Sequence, residues 1–150
     1  KRFKTTYFGG MTNNSLGILA KDKDNVTSEI YPFTGLLFNE INKFELSLPN
    51  PSSVKELDIY LSFTAGVKLQ VDSIILIDGE SNEIEINQED INVFSKSSFI
   101  LNDNSATEII LVSEEDEILN LALSKEYQNI TQILLNLKFK KFNLTNLNCN

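Results

Sequence analysis

Apolar and polar residues alternate in short runs along most of the chain, and turn-forming residues separate the runs. At 43–48, for example, Phe44 and Leu46 share one face of an extended chain and Glu45 lies on the other. Side chains of a β-strand point alternately to its two faces, so this pattern is typical of a strand with one buried face. The same alternation recurs at 57–63. The pattern therefore predicts antiparallel, half-buried strands.

The runs that read as strands share this alternation or a high content of β-branched and aromatic residues. They are 5–8, 16–20, 29–33, 43–48, 57–63, 67–70, 73–78, 83–86, 98–101, 108–112, 118–123 and 132–139. Asn50-Pro51 and Asp78-Gly79 are predicted as turns between strands. Weaker patterns at 88–94 and 124–129 predict one short helical turn each.

This pattern predicts an all-β fold, a two-sheet antiparallel β-sandwich of jelly-roll type with about eight to ten strands. A closed lipocalin-like barrel would need fewer and longer strands, and the Cys, Trp and Cys signature of an immunoglobulin-type sandwich is absent. The runs 73–77 and 133–135 are continuously apolar or nearly so. They are predicted to be central strands covered on both faces, or strands that bend between the two sheets.

The chain has 150 residues, of which 41% are hydrophobic, enough for one domain with a core. We expect a single domain at 1–142 and a frayed, Asn-rich tail at 143–150. Because the chain begins with Lys1, we expect it to be part of a longer protein. No apolar run approaches the roughly 20 residues that a membrane span needs, so no membrane insertion is predicted.

The formal net charge is −8, yet basic residues are concentrated at both ends of the chain, at Lys1, Arg2, Lys4, Lys138, Lys140 and Lys141. One interpretation is that the first and last strands pair and share a basic edge, because lysines protect exposed edge strands. The other is that this edge faces an anionic membrane or an anionic parent domain. An acidic chain without clustered arginines is not expected to bind nucleic acid.

The composition removes most catalytic chemistry. The chain contains no histidine, and its single cysteine, Cys149, lies in the polar tail. Nucleophile–histidine pairs and histidine metal ligands are therefore excluded. Glu83 and Glu85 lie two residues apart on one strand, as exposed glutamates commonly do, and we predict no enzymatic activity. No cofactor is predicted, but a structural calcium ion could use oxygen atoms of a turn containing Asp22, Asp24 and Asn25.

Saccharide-binding surfaces use amphipathic aromatic side chains together with hydrogen-bonding groups. Tyr60 lies on the polar face of its predicted strand, and Tyr31 and Tyr127 are further candidates. Asn102 and Asp103, in a polar turn, complete the predicted ligand-binding set.

Three segments, 44–49, 71–78 and 99–105, together resemble the non-catalytic β-sandwich domain attached to bacterial glycosyltransferases that build rhamnan, O-antigen and related surface polysaccharides. The resemblance lies in the order of an F-x-L-P strand, a V-x-I-x-S-I-x-L-x-D-x-x-G strand pair and a later F-x-x-x-N-D-P-x-I segment, with 20–30 in the place of a first acidic strand. Two features of the family differ here. An expected Arg-x-Asp-Pro is replaced by Tyr60-Leu-Ser-Phe63, and Asn-Asp-Pro becomes Asn102-Asp-Asn104.

The resemblance implies a non-catalytic carbohydrate-recognition or scaffolding module associated with bacterial cell-surface glycan biosynthesis. Its partners would be a saccharide or a parent catalytic domain. Because the single cysteine allows no internal disulfide, which small secreted domains often have, we expect a location in the cytoplasm, including the membrane face. The alternative is a structural or adhesive, self-assembling module of a bacterial surface or phage-tail protein, at the cell surface. A small glycosidase or lyase is the third hypothesis, and it would need a pair of carboxylates or tyrosines in one cleft.

Overall fold

The computed structural model describes residues 15–24, 31–33, 36–62, 66–95, 99–101, 108–111 and 117–141. These residues form nine strands and one 3-10 turn, Gln88–Asp90. The strands are β1 (Ser15–Lys21), β2 (Tyr31–Phe33), β3 (Ile41–Ser62), β4 (Val67–Asp78), β5 (Glu83–Ile86), β6 (Ile91–Ser95), β7 (Phe99–Leu101), β8 (Glu108–Leu111) and β9 (Glu117–Lys141). Within the described ranges, no helix has the length and hydrophobicity to cross a bilayer.

All named strand pairs are antiparallel, and the two longest strands, β3 and β9, each take part in two layers. The first layer has the order β2-β1-β3-β9-β6 and uses the second half of β3 and the first half of β9. In the second layer, the other half of β9 lies between the first half of β3 and β4. On its far side, β4 pairs with β8 along its first part and with β5 along its last part, and β8 pairs in turn with β7. The all-β, antiparallel, two-layer prediction is confirmed.

Each long strand changes layer at a break in the β3–β9 register. From Ser47 to Ser52, β3 has extra residues opposite β9, and this bulge contains both prolines of the strand. A proline has no N–H to donate to a ladder, so a bulge accommodates it without losing a hydrogen bond. Further along, the extra residues are in β9, between Ala122 and Tyr127. Bulges bend a strand and increase its twist, which lets β3 and β9 fold over the core.

The buried side chains of both layers form one hydrophobic cluster. In the second layer, Leu46 and Leu135 are fully buried, and in the first layer, Ile59 and Leu121 are fully buried as well. The rings of Phe33 in β2 and Phe44 in β3 meet edge to face at 4.7 Å between centroids, which ties the edges of the two layers together. Burying one Leu, Ile or Phe side chain stabilises a fold by roughly 1.5–3 kcal/mol, so this shared core holds the layers together.

Comparison with the sequence prediction shows where local patterns fail. The predicted strands 43–48 and 57–63 belong to one continuous β3, and the pairs 67–70 with 73–78 and 118–123 with 132–139 are likewise joined in β4 and β9. The predicted turn at Asn50-Pro51 is therefore wrong, because those residues form the bulge of β3. The predicted strand 5–8 lies outside the described residues.

The two predicted helical turns have different outcomes. At 88–94, one 3-10 turn forms at Gln88–Asp90, and β6 begins directly after it. At 124–129, the prediction is wrong, because the residues belong to the bulged part of β9. At the start of this bulge, the ammonium group of Lys55 in β3 donates a hydrogen bond to the carbonyl oxygen of Leu123. A side chain of the neighbouring strand thus bonds a carbonyl group that a helix would have bonded through its own backbone.

The predicted basic edge is also corrected. The last strand, β9, is central, because Lys138 has Ile41 of β3 on one side and Gln70 of β4 on the other. The basic residues near the start of the chain lie outside the described residues, as does the predicted tail 143–150.

Candidate functional site

A groove runs across the outer face of the second layer, on the side away from the core. It is lined by Lys43, Phe44, Glu45, Ile75, Leu134 and Asn136, and its volume is about 260 Å³. These residues come from three neighbouring strands, β3, β9 and β4. The groove is therefore a feature of the sheet itself, and the backbone hydrogen bonds of that sheet fix the spacing of its side chains.

Strand register explains how the groove is built. One cross-strand row runs from Glu45 through Leu134 to Ile75, and the next row pairs Lys43 with Asn136. Adjacent rows on one face of a sheet are two residues apart, or roughly 7 Å. The two aliphatic side chains form the floor, and the three polar side chains stand along one side and one end.

The polar side chains of the groove supply complementary hydrogen-bonding groups. Lys43 donates, the Glu45 carboxylate accepts and the Asn136 amide can do both. Lys43 and Glu45 make no ion pair or side-chain hydrogen bond with any residue that the structure describes. The Asn136 amide, in contrast, donates a hydrogen bond to the Ser73 hydroxyl at 2.8 Å. The charged groups of Lys43 and Glu45 thus remain available to a ligand.

The outer face of the first layer is organised differently, around the buried Asp58, which is 8% exposed. The Lys21 ammonium lies 2.9 Å from its carboxylate and 3.5 Å from that of Glu56. The Asn120 amide donates to both carboxylates, at 2.7 Å to Asp58 and 2.8 Å to Glu56. The hydrogen bond with Asp58 raises the pKa of Lys21, and partial burial opposes that shift. These side chains satisfy one another across β1, β3 and β9.

The three predicted tyrosines lie at separate places. Tyr60 is half-buried on the outer face of the first layer, in the row next to Asp58. Tyr31 packs against the core, and its hydroxyl donates to the carbonyl oxygen of Ser47 at 2.5 Å. Tyr127 packs against the core at the β9 bulge, with the Lys125 ammonium 5.0 Å from its ring centroid. Desolvation and the nearby Asp90 carboxylate raise the pKa of Tyr127. The structure does not combine these tyrosines into one surface.

The remaining predicted site residues fall partly outside the description. Asn25, Asn102 and Asp103 are not among the described residues. At the end of β1, the backbone N–H of Asp24 donates to the Asp22 carboxylate at 2.7 Å, an ordinary Asx turn. The described residues contain no group of three or more acidic or cysteine side chains arranged to hold a metal. Calcium binding at Asp22, Asp24 and Asn25, and ligand binding by the tyrosines, Asn102 and Asp103, stay predictions.

The apolar runs that contain the floor of the groove were visible in the sequence, but their pattern did not show which strand face is open to solvent. The runs 73–77 and 133–135 are apolar on both strand faces, which predicted strands covered on both sides or strands that bend between the sheets. In the structure, Ile75 and Leu134 face outward and are only half-buried. Because a period-two pattern does not distinguish a covered face from an exposed aliphatic floor, Lys43, Glu45 and Asn136 were not predicted as site residues.

Comparison with known proteins found no protein-family model and no curated protein that matches this chain. One solved structure that matches is the CBM3a-L domain with flanking linkers from scaffoldin cipA of the cellulosome of Clostridium thermocellum. The sequence identity is 10% and the TM-score is 0.27, with 88% of this chain and 69% of that chain covered. A similarity of this size does not assign a family or a function to the chain.

Proposed function

We propose that this chain is a non-catalytic carbohydrate-recognition module and that the groove on the second layer is its binding site. The observation that carries the proposal is the combination in that groove of a half-buried aliphatic floor, Ile75 and Leu134, with the available polar groups of Lys43 and Glu45. A sugar ring has the matching chemistry, because its C–H groups form an apolar face and its hydroxyls surround that face. The floor would contact the ring, and the polar groups would bond the hydroxyls.

The size of the groove favours a small polar unit. Sites for drug-sized ligands measure roughly 300–1,000 Å³, and this groove, at about 260 Å³, is smaller and lies on an open sheet face. An open face lets a longer chain continue past the groove in both directions. The groove would therefore hold one sugar of an oligosaccharide while the neighbouring sugars rest on the sheet.

The wider role that we propose is that of an accessory module in bacterial cell-surface glycan biosynthesis, which positions a saccharide for a parent catalytic domain. It would act in the cytoplasm at the membrane face, and the cell surface is the alternative location. The role follows from the sequence resemblance, and the location follows from the single cysteine, which allows no internal disulfide.

The experiment is calorimetric titration of the purified chain with a panel of neutral and acidic oligosaccharides from bacterial envelopes. We expect binding by at least one of them and a loss of about tenfold or more in affinity for Glu45→Ala, since a hydrogen bond to a charged group is worth roughly 1.5–3 kcal/mol. The matched control is Glu89→Ala, which removes an exposed carboxylate from the 3-10 turn. No binding across the panel, or equal effects of the two variants, would refute the recognition role.

One structural feature favours the alternative, a self-assembling module. The first half of β3 is an edge of the second layer, because it pairs with β9 on one side and with no described strand on the other. Such an edge can pair with a second copy, although Lys43 and Glu45 alternate along it and charged side chains oppose edge-to-edge pairing. Light scattering over a range of protein concentrations tests for self-assembly. A molecular mass that rises with concentration in the wild type, but not in Ser47→Pro, would support pairing through this edge.

A further inference from the structure

Lysines are concentrated at one end of the face that carries the groove. Lys43 lines the groove, and Lys138 is its diagonal neighbour, since Lys43 is opposite Asn136. Lys140 lies on the same face, two residues beyond Lys138, and is directly opposite Lys68 of β4. Within a protein of net charge −8, these four lysines form a local basic surface, called here the lysine end.

Three lysines of this end, Lys43, Lys138 and Lys140, lie on the outer face of the second layer. The fourth, Lys68, lies directly opposite Lys140 and makes an interaction of its own. Toward the described residues, Lys138 and Lys140 make no ion pair or side-chain hydrogen bond. Lys141, beyond them, has its ammonium 5.7 Å from the ring centroid of Phe38. Two described carboxylates lie near this end, that of Glu45 beside Lys43 in the groove and that of the exposed Glu40.

The spacing of the lysine end suits a carboxylate carried by a chain that already occupies the groove. Diagonal neighbours on a sheet face are roughly 7–8 Å apart, which brings the long side chains of Lys43 and Lys138 within reach of one anion between them. Lys140 is the next position along the same strand. The basic surface is therefore a continuation of the groove along β9.

We infer that the saccharide bound by the groove is acidic, with the carboxylates of neighbouring uronic acid units, or equivalent anions, seated on Lys43, Lys138 and Lys140. This inference rests on the proposed function, because it names the ligand class of the same groove. The polar side chains of the groove bond the sugar hydroxyls. The lysines of the lysine end bind the carboxylates of the neighbouring sugar units, one and two cross-strand rows beyond Lys43. Lys43 belongs to both parts and fixes the register of the sugar chain relative to the lysine end.

A neighbouring apolar feature identifies the main competing occupant. Leu37 and Ile41 are 43% and 46% exposed, and the Asn42 side chain holds their segment through hydrogen bonds with the backbone of Leu37. Exposed aliphatic side chains beside lysines also suit an anionic lipid surface. The continuity of the lysines with a hydrogen-bonding groove favours the saccharide, and a bilayer is tested as a separate outcome.

The experiment compares two probes that differ only in charge, oligogalacturonate and the same oligomer with every carboxylate methyl-esterified. We expect the acidic oligomer to bind roughly thirtyfold more tightly, which corresponds to three surface ion contacts at about threefold each. Its affinity should fall with rising salt concentration, whereas that of the ester should not. Lys138→Gln and Lys140→Gln should each reduce binding of the acidic oligomer by about threefold to fivefold and leave binding of the ester unchanged.

The matched control is Lys125→Gln, a lysine at the β9 bulge far along the strand from the lysine end. If both oligomers bind equally and Glu45→Ala weakens both, the groove recognises sugars and the acidic preference is refuted. If neither binds, and the envelope saccharides fail as well, both proposals are refuted together. If vesicles of phosphatidylcholine and phosphatidylglycerol bind and Ile41→Ser abolishes that binding, while oligogalacturonate does not compete, the lysine end serves a bilayer and the inference is overturned.

Discussion

The outer faces of the two layers both carry polar groups but arrange them differently. On the first layer, the buried carboxylate of Asp58 has a lysine and an amide as partners, and those partners also bond Glu56. On the second layer, Lys43 and Glu45 lie beside an aliphatic groove without such partners among the described residues. Satisfied polar groups stabilise a sheet, whereas available ones can bind. The first face thus uses its polar groups for stability, and the second keeps available the groups that the proposed recognition role requires.

The difference originates in strand position. The first-layer network spans β1, β3 and β9, and three strands are enough to surround a carboxylate with donors from both sides. In the second layer, Lys43 and Glu45 lie on an edge strand, which has a described neighbour on one side only. An edge offers fewer cross-strand partners, so its charged side chains stay exposed and accessible.

The largest expected change in stability tests which face of β9 carries the groove. Leu135→Ala removes a fully buried side chain and should lower the free energy of unfolding by about 3 kcal/mol, through lost burial and the cavity left behind. Leu134→Ala, one residue away on the outer face, should cost about 1 kcal/mol or less. Urea denaturation measures both. Equal losses would mean that Leu134 is buried too and that the groove is closed.

The next effect separates a stabilising polar group from a binding one. Asp58→Ala leaves the half-buried ammonium of Lys21 without its closest partner and should reduce the free energy of unfolding by about 2 kcal/mol. Glu45→Ala should change stability by about 0.5 kcal/mol or less, because that carboxylate is exposed and has no described partner. Denaturation curves and saccharide titration of the same two variants give the result. The comparison fails if Asp58→Ala abolishes binding while the protein remains folded.

These two faces also show what sequence can and cannot reveal. Alternation identified Leu46 and Ile59 as core residues correctly, because burial on one face imposes a period of two wherever the strand is regular. It failed at Asn50-Pro51 and at 124–129, where turn chemistry and a helical pattern are locally plausible but β3 and β9 bulge together. Bulges depend on the partner strand, and the partner is not visible in the local sequence.

The candidate site was beyond the reach of the sequence for a related reason. Glu45, Leu134 and Ile75 are widely separated in sequence, and only the β3–β9–β4 register places them in one row. Tyr60 was identified as a polar-face aromatic, and it does lie on an outer face, but on the layer whose polar groups are already paired. Which outer face has available groups is decided by cross-strand pairing, which residue type alone does not specify.

A pH titration sharpens the view that the first face is a stabilising network. The hydrogen bond with Asp58 raises the pKa of Lys21 above its ordinary 10.5 in the folded protein. The contribution of Lys21 to stability is therefore complete below pH 10.5 and is lost as the pH rises through the higher folded-state value. We expect the stability difference between the wild type and Lys21→Met to be constant below about pH 10.5 and to shrink as the pH rises above that value. Parallel curves above that pH would show that Lys21 is not stabilised by the network.

The smallest expected effect concerns the cost of keeping the lysine end basic. Lys140→Glu places a carboxylate directly opposite Lys68 and converts a repulsive cross-strand pair into an attractive one, so the free energy of unfolding should rise by about 0.5 kcal/mol. The same change should weaken binding of oligogalacturonate more than Lys140→Gln does, because it adds repulsion as well as removing an attraction. Thermal unfolding and calorimetry on the two variants measure these opposite changes. If Lys140→Glu gained stability without losing affinity for oligogalacturonate, Lys140 would not contribute to binding the anion.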